Sequence, residues 1–235
     1  MSLVSIRREI RHHSNTKRAR VLKSFFKTGV GQYGYGDKFL GITVPQSRAI
    51  ALKYKDLSFD EIAILLKSSF HEERLIVVLL LVHLFDVGGL REKKKVYDFY
   101  LKNTKYINNW DLVDLSADKI VGAYLLYGSR SILFKLARSE NLWERRIAII
   151  STYQFIRNGE HFETLRIAEF LLHDTHDLIH KAVGWMLREV GKQISQKVEE
   201  RFLKKHYKKM PRVMLRYAME RFPRKRQLQY LNGNV

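Results

Sequence analysis

The sequence of 235 residues has no cysteine, three prolines and thirteen glycines. The absence of cysteine excludes disulfide bonds, thiolate metal sites and a cysteine nucleophile, and it is typical of proteins in a reducing compartment. The longest apolar run, LIVVLLLVHLF at residues 75–85, is too short to span a bilayer, and the N-terminal residues lack the apolar stretch of a signal peptide. We therefore expect a soluble, cytoplasmic protein without a membrane segment.

The scarcity of proline and glycine leaves few helix breakers, and apolar residues recur at the helical spacing of about 3.6 through most of the chain. This pattern predicts an all-α fold. The clearest interruption is GVGQYGYGDKFLGITVP at residues 29–45, which predicts a loop that ends with Pro45 just inside a helix start. The loop lacks the ending of a Walker motif and follows no strand, so it does not indicate a nucleotide site.

Pairs of helices recur from about residue 58 onward, each pair with a short amphipathic helix, a polar turn and a longer helix. Alignment of the second helices places basic residues at one equivalent position: Arg74, Arg146, Lys181 and Arg216, separated by 72, 35 and 35 residues. A period of about 35 built from helix pairs predicts an α-solenoid, whose equivalent second-helix positions share one concave surface. We predict a single domain over residues 1–235 with this basic ladder facing a duplex. The alternative for each ladder residue is an ion pair within its own repeat.

The formal net charge of +19 is concentrated at two ends of the chain. The basic N-terminal helical segment, residues 1–30, carries a net +7, and the basic C-terminal repeat, residues 201–226, carries a net +10. Two such ends could bind a polyanion at separated places, with release of counterions from each phosphate. Nucleic acid is therefore the first partner to consider, and solvated helix faces that serve solubility are the alternative.

The segment NNWDLVDL, residues 108–115, lies one period after Arg74 and one period before Arg146. It therefore occupies a ladder position of its own, but it has no basic residue there. Asn108 or Asn109 can cap a helix start, after which Trp110 and Asp114 share one face while Leu112 and Leu115 point into the core. A carboxylate beside an indole on a basic surface suits stabilisation of a positive charge or activation of a water. The alternative is a repeat aspartate that caps a helix or pairs with a neighbouring arginine. For Asp111 we expect a structural pair within its own repeat.

Two further constellations have weaker functional interpretations. Trp185 lies four residues after Lys181 and shares its face, as Trp110 shares that of Asp114, although an aromatic residue on an amphipathic helix usually belongs to the core. The histidines of HDTHDLIH, residues 173–180, have spacings that could hold a metal, but a turn with Asp174 or Thr175 as the N-cap is simpler. We therefore predict no metal site and no cofactor.

Several segments together resemble the AlkD-like DNA alkylation repair proteins, which are HEAT-like repeat DNA glycosylases. The resemblance covers about residues 30–220 and rests on YGYGDKFLGITVPQSRAIA, SFHEERLIVVLLLV, INNWDLVDLSADKIVG, SENLWERRIAIIS and HDLIHKAVGWMLREVGK. It implies a right-handed superhelical α-solenoid of HEAT-like helix-pair repeats and hydrolysis of the N-glycosidic bond of cationic alkylated purines, such as 7-methylguanine and 3-methyladenine. In that family the duplex lies in the concave groove and the lesion is not drawn into a deep pocket.

The resemblance also implies roles for individual residues. Asp114 would be the carboxylate beside the sugar, Trp110 and Trp185 would pack against the deoxyribose of the lesion, and Arg146 would hold a backbone phosphate. The catalytic set is thus Asp114, Trp110, Trp185 and Arg146. The DNA-binding set is Arg146, Arg74, Lys181, Arg188 and Arg216.

The sequence analysis predicts a monomeric, monofunctional glycosylase that acts on double-stranded DNA containing alkylated purines. The first alternative is a non-catalytic relative that binds branched or distorted DNA, which would have no need of the four catalytic residues. The second alternative is a protein-interaction solenoid, for which the crowded basic ends would be unusual.

Overall fold

The computed structural model of the chain describes residues 2–235 and is all-helical. Within these residues there is no β-strand, and a single isolated parallel bridge joins Lys38 to Phe70. The chain forms two compact units, one ending at Ser116 and the other beginning at Ala117. The all-α prediction is confirmed, whereas the single-domain organisation and the superhelical arrangement stay predictions.

The first unit contains seven α-helices and a short 3₁₀ turn. The helices are α1 Leu3–His12, α2 Thr16–Phe25, α3 Val44–Lys53, α4 Phe59–Leu66, α5 His71–Val87, α6 Leu90–Lys102 and α7 Trp110–Asp114, and the 3₁₀ turn is Thr104–Tyr106. Side chains close the N-termini of α1, α3 and α4 in capping boxes, as the residue pairs Thr43 with Gln46 and Ser58 with Glu61 illustrate. Pro45 lies in the first turn of α3, as predicted.

The long helix α5 forms the centre of this unit. Residues 71–81 are buried on all sides, because α3, α4, α6 and α7 contact the helix. A helix that is apolar around its whole circumference is stable only in such a position. The charged residues at its beginning, which include His71 and Arg74, are therefore buried with it.

The second unit contains nine α-helices and three short segments of other helical types. The helices are α8 Ala123–Leu125, α9 Ser131–Ala137, α10 Leu142–Ser151, α11 Tyr153–Arg157, α12 Phe162–Phe170, α13 Asp177–Gln193, α14 Gln196–His206, α15 Arg212–Ala218 and α16 Arg224–Leu231. A π-helical segment, Asp118–Gly122, precedes α8, and the 3₁₀ turns are Leu171–His173 and Met219–Arg221.

Helix α13 packs against α10, α14 and α15, and α9 packs against α10. The crossing of α13 with α15 is close at Gly184, where an added Cβ atom would lie 2.5 Å from the carbonyl oxygen of Met214. Helix α13 begins after His176, whose ring accepts a hydrogen bond from the backbone N–H of Leu178. The prediction of Asp174 or Thr175 as the N-cap is therefore wrong, because Asp174 instead accepts the backbone N–H of His176 and pairs with Arg145.

Within residues 2–235, no helix is both long and apolar enough to cross a membrane.

Candidate active site

The helix α7, Trp110–Asp114, is short and is fixed by polar contacts at its beginning. Asn109 is its N-cap, as one of the two predicted alternatives, and the side-chain oxygen accepts the backbone N–H of Trp110 at 2.8 Å. Leu112 and Val113 are fully buried, which anchors the helix in the core. Leu115 is half-buried and lines a cavity instead of pointing into the core as expected.

Trp110 and Asp114 line one cavity of about 390 Å³ within the first unit. The predicted sharing of a face is confirmed, since both side chains are half-buried and border the same space. The other lining residues are mainly apolar or aromatic: Leu22, Phe25, Phe26, Phe39, Ile42, Val44, His71, Glu72, Leu75, Asp111 and Leu115. A carboxylate therefore borders an apolar space in which electrostatic interactions are weakly screened.

Aromatic rings form one wall of this cavity. The ring of Phe26 stacks on Trp110 with centroids 5.3 Å apart, and it also stacks on Phe39 at 5.1 Å. Phe25 and Trp110 form a T-shaped pair with ring centroids 5.9 Å apart. The faces of such rings carry partial negative charge and attract cations, so the wall and Asp114 favour positive charge in the same space.

A row of buried charged groups lies beside this wall, and two of its members, His71 and Asp111, line the cavity. The Nε2 atom of His71 is 2.7 Å from Oδ2 of Asp111, and Nδ1 is 3.4 Å from Oδ2 of Asp37. Arg74 donates to the other oxygen of Asp37 at 2.7 Å and to the carbonyl of Ser68 at 2.8 Å. Asp111 thus forms a structural pair, as expected, but the expectation of a partner within its own repeat is wrong, because His71 lies at the beginning of α5 in the preceding helix pair.

These contacts shift two pKa values in opposite directions. Burial disfavours the charged form of His71, but the charge and the hydrogen bond of Asp111, with the hydrogen bond of Asp37, raise the pKa of His71 to about 9. Burial also disfavours the charged form of Asp37, but the hydrogen bond from His71 and the charge of Arg74 hold its pKa below the ordinary value. His71 is therefore protonated and Asp37 ionised at neutral pH.

The glycine-rich loop brings Phe39 and Asp37 to the site. The Glu72 carboxylate accepts the backbone N–H groups of Leu40 and Gly41 at 3.0 and 2.7 Å, and also that of Ile42. Gly41 has a φ of +81°, and an added Cβ atom would collide with the carbonyl of Asn15, so glycine is required at this turn. The loop is thus a structural support for the cavity.

The second unit holds the predicted residues Arg146 and Trp185. Arg146, on α10, is 5% exposed and donates to the carbonyl of Leu178 at 2.5 Å. Trp185, on α13, is half-buried with its ring 6.0 Å from that of Tyr153. Trp185 therefore has an accessible face, whereas Arg146 presents little of its surface.

The other predicted DNA-binding residues differ in exposure. Arg216 is exposed, and Lys181 is half-exposed and pairs with Asp177 at 2.6 Å. Arg188 pairs with Glu220. Arg74 is 3% exposed and forms a structural ion pair, although its partner, Asp37 of the glycine-rich loop, lies outside its own repeat. Its burial disfavours a contact with DNA phosphates.

Sequence reasoning missed the aromatic wall and the roles of His71 and Asp37. The polar residues concerned are visible in the sequence, as the HEERL segment at the start of α5 and as the single aspartate of the glycine-rich loop. Neither segment has a spacing in the sequence that predicts contact with α7. Among residues 2–235, no group of three or more His, Asp or Glu side chains is arranged to hold a metal ion.

The protein is thus basic and all-helical, and the carboxylate of Asp114 and the indole of Trp110 face a cavity with an aromatic wall. The chain belongs to the DNA alkylation repair enzyme family, whose model matches residues 6–222. This confirms the family that the motifs indicated, and it assigns the protein an enzymatic role in DNA repair with DNA as its substrate.

A solved structure, described as a predicted DNA alkylation repair enzyme from Enterococcus faecalis, has the same fold with a TM-score of 0.69. The two proteins are 16% identical, and the match covers 90% of this chain and 98% of the other. No curated protein sequence gives a significant match to the chain.

Proposed function

We propose that this protein is a DNA glycosylase that hydrolyses the N-glycosidic bond of cationic alkylated purines, such as 7-methylguanine and 3-methyladenine, in duplex DNA. The observation that carries the proposal is that Asp114 and Trp110 border the same cavity. An anionic group in a strongly basic protein that binds DNA weakens phosphate contacts nearby, so its place at an aromatic cavity calls for a cationic ligand or transition state.

The chemistry of such substrates suits a site with one carboxylate. An alkylated purine carries positive charge, so it departs with the electrons of the C1′–N bond as a neutral base and needs little acid assistance. The sugar then becomes oxocarbenium-like, and Asp114 stabilises that cation and accepts the proton of the water that adds to C1′. The indole face of Trp110 adds cation–π attraction to the same developing charge.

The proposal includes a HEAT-like solenoid that binds the duplex without drawing the lesion into a pocket. In the second unit, the packing of α10 against α13 and of α13 against α15 supports stacked helix pairs. The exposed Arg216 and the half-exposed Lys181 suit phosphate contacts. Following the resemblance, we propose that Arg146 holds a backbone phosphate. We also propose that Trp185 packs against the deoxyribose of the lesion. We propose that the protein acts as a monomer in the cytoplasm.

The decisive experiment compares two aspartate variants on methylated duplex DNA. Asp114→Asn should slow the release of 7-methylguanine by about 100-fold or more under single-turnover conditions, because the amide cannot stabilise a cation or accept the proton. It should leave duplex affinity unchanged or slightly higher, since a negative charge near phosphates is lost. The control is Asp98→Asn on α6, whose side chain is 52% exposed and pairs with Lys94.

Excision by Asp114→Asn at the wild-type rate would show that this carboxylate is not catalytic. A wild-type protein that binds methylated, branched or distorted duplexes but releases no base would support the non-catalytic alternative. The salt dependence of binding tests the protein-interaction alternative, because affinity for duplex DNA that hardly changes with salt contradicts phosphate contacts.

A further inference from the structure

A row of buried groups with alternating charge runs to the candidate active site from inside the first unit. Its members, in order, are Arg74, Asp37, His71 and Asp111, with relative exposures of 3%, 9%, 2% and 8%. When His71 is protonated, the two positive and two negative charges of the row sum to zero. Such a row is stable in the interior only when each charge has its partner, since a buried charge left alone is costly.

The contacts of His71 require the protonated ring. Both ring nitrogens face carboxylate oxygens, Nε2 that of Asp111 at 2.7 Å and Nδ1 that of Asp37 at 3.4 Å. A neutral imidazole has one N–H donor, so it would turn a lone pair toward one of the two carboxylates. The rings of Phe26 and Phe39 lie 4.8 and 4.9 Å from the imidazole and add cation–π contacts.

This row holds α7 at two points on either side of Trp110. Asp111 is bonded to His71, and the side-chain amide of Asn109 donates to Asp37 at 3.2 Å. Helix α7 spans five residues, which is far below the length at which an isolated helix is stable in water. Its position therefore depends on these side-chain bonds and on the burial of Leu112.

We propose that Asp111, His71 and Asp37 are positioning residues, which fix α7 so that Trp110 and Asp114 keep their places on the cavity. The proposal rests on the proposed function, since it assigns these residues to the support of Asp114. None of the three needs to touch the substrate. Each acts through the backbone of α7 or through its neighbour in the row.

The row also makes the enzyme sensitive to alkaline pH. The charged groups around His71 are Asp111 on α7, Asp37 in the glycine-rich loop, Arg74 on its own helix, and Glu72 and Asp114 on the same cavity. The pKa of His71, about 9, lies above its ordinary value, so the bonded row is complete below that pH and is lost as the pH rises through it. The excision rate should fall over the same range.

The test compares Asp111→Asn with a matched variant of the same unit. Asparagine keeps the shape of the side chain but removes the charge that holds His71 protonated. The control, Glu73→Gln, removes a carboxylate that is 2% exposed on α5 and the charge of its ion pair with Arg7, whose atoms are 3.3 Å apart. Both variants lose a buried carboxylate, but only Asp111→Asn affects the row.

At pH 7.5 and saturating DNA, Asp111→Asn should be about 10- to 100-fold slower than the wild type, because small displacements of reacting groups cost rates of this order. The dissociation constant for duplex DNA should change less than about 3-fold. The alkaline fall of the rate should move to lower pH in Asp111→Asn and stay in place in Glu73→Gln. If Asp111 only stabilised the fold, an Asp111→Asn variant with the thermal stability of the wild type would keep the wild-type rate and pH profile.

Hydrogen exchange gives a measurement that does not depend on catalysis. The amides of residues 109–115 should exchange faster in Asp111→Asn than in Glu73→Gln. Equal rates, pH profiles and exchange in the two variants would overturn the positioning role. If the wild-type protein released no alkylated base while exchange in α7 still separated the two variants, the proposed function would fail and the fixing of α7 by the row would stand.

Discussion

The Nε2 atom of His71 lies 2.7 Å from Oδ2 of Asp111, although forty residues separate the two in the chain. This bond explains why an aspartate follows Trp110 in a strongly basic protein. It joins the central helix α5 to the short helix α7 that carries Asp114. The two acids of the WDLVD segment thus have different surroundings, since Asp111 is buried in an ion pair and Asp114 is half-buried at the cavity.

The capping residue Asn109 should be sensitive to substitution, because it is fully buried and makes two side-chain bonds. Asn109→Ala removes the cap of α7 and the donor to Asp37, and we expect a loss of about 1–3 kcal/mol in the free energy of unfolding. Asn109→Ser, which retains a capping hydroxyl, should lose less. Urea denaturation measures both, and equal stability of the two variants would contradict the capping role.

The arginines of the second unit should respond differently to alanine substitution. Arg216→Ala, at an exposed position, should weaken duplex binding and lower the slope of log affinity against log salt by about one, without slowing excision of bound DNA. Arg146→Ala should weaken binding and abolish excision if the predicted phosphate contact is made. Binding titrations at several salt concentrations and single-turnover assays measure these effects. Unaltered affinity and turnover of Arg146→Ala would refute its role.

A buried glutamate on α14 should make stability depend on pH. Glu199 is 3% exposed, and burial raises its pKa to about 8, so the folded protein binds a proton there between its ordinary pKa of 4.5 and about 8. Its contribution to stability therefore decreases as the pH rises through that window. Glu199→Gln, which stays neutral, should melt near the wild-type temperature at pH 5 and several degrees above it at pH 9.

Thermal melts from pH 5 to pH 9 test this directly. The control is Glu200→Gln on the same helix, which removes the ion pair with Arg226 and should lower the melting temperature over the whole range. A wild-type protein and a Glu199→Gln variant with parallel pH profiles would show that Glu199 titrates normally in the folded state.

The close crossing of α13 and α15 predicts an asymmetry between two glycines. At Gly184 an added Cβ atom would meet the carbonyl of Met214 and the Cβ atom of Tyr217, each at 2.5 Å, so Gly184→Ala should cost about 1–3 kcal/mol. At Gly128 an added Cβ atom has no heavy atom within 4 Å. Gly128→Ala should therefore be nearly neutral in thermal melts, and equal losses at both sites would contradict the close crossing.

The helical periodicity, the scarcity of breakers and the capping residues determined the all-α fold and the starts of α3 and α7, because these properties depend on neighbours within a turn or two along the chain. The boundary at α13 was misjudged because a histidine, which is an uncommon N-cap, took the place of Asp174. The same local information placed Trp110 and Asp114 on one face of α7.

The tertiary structure alone decided what surrounds that face. Phe26, Phe39, Asp37 and His71 come from three distant segments, and no periodicity in the sequence relates them to α7. Tertiary packing also separated Arg74, which is buried with the start of α5, from Arg216, which is exposed, although the repeat register makes them equivalent. Register along a helix follows from the sequence, whereas burial and charge pairing depend on which helices pack together.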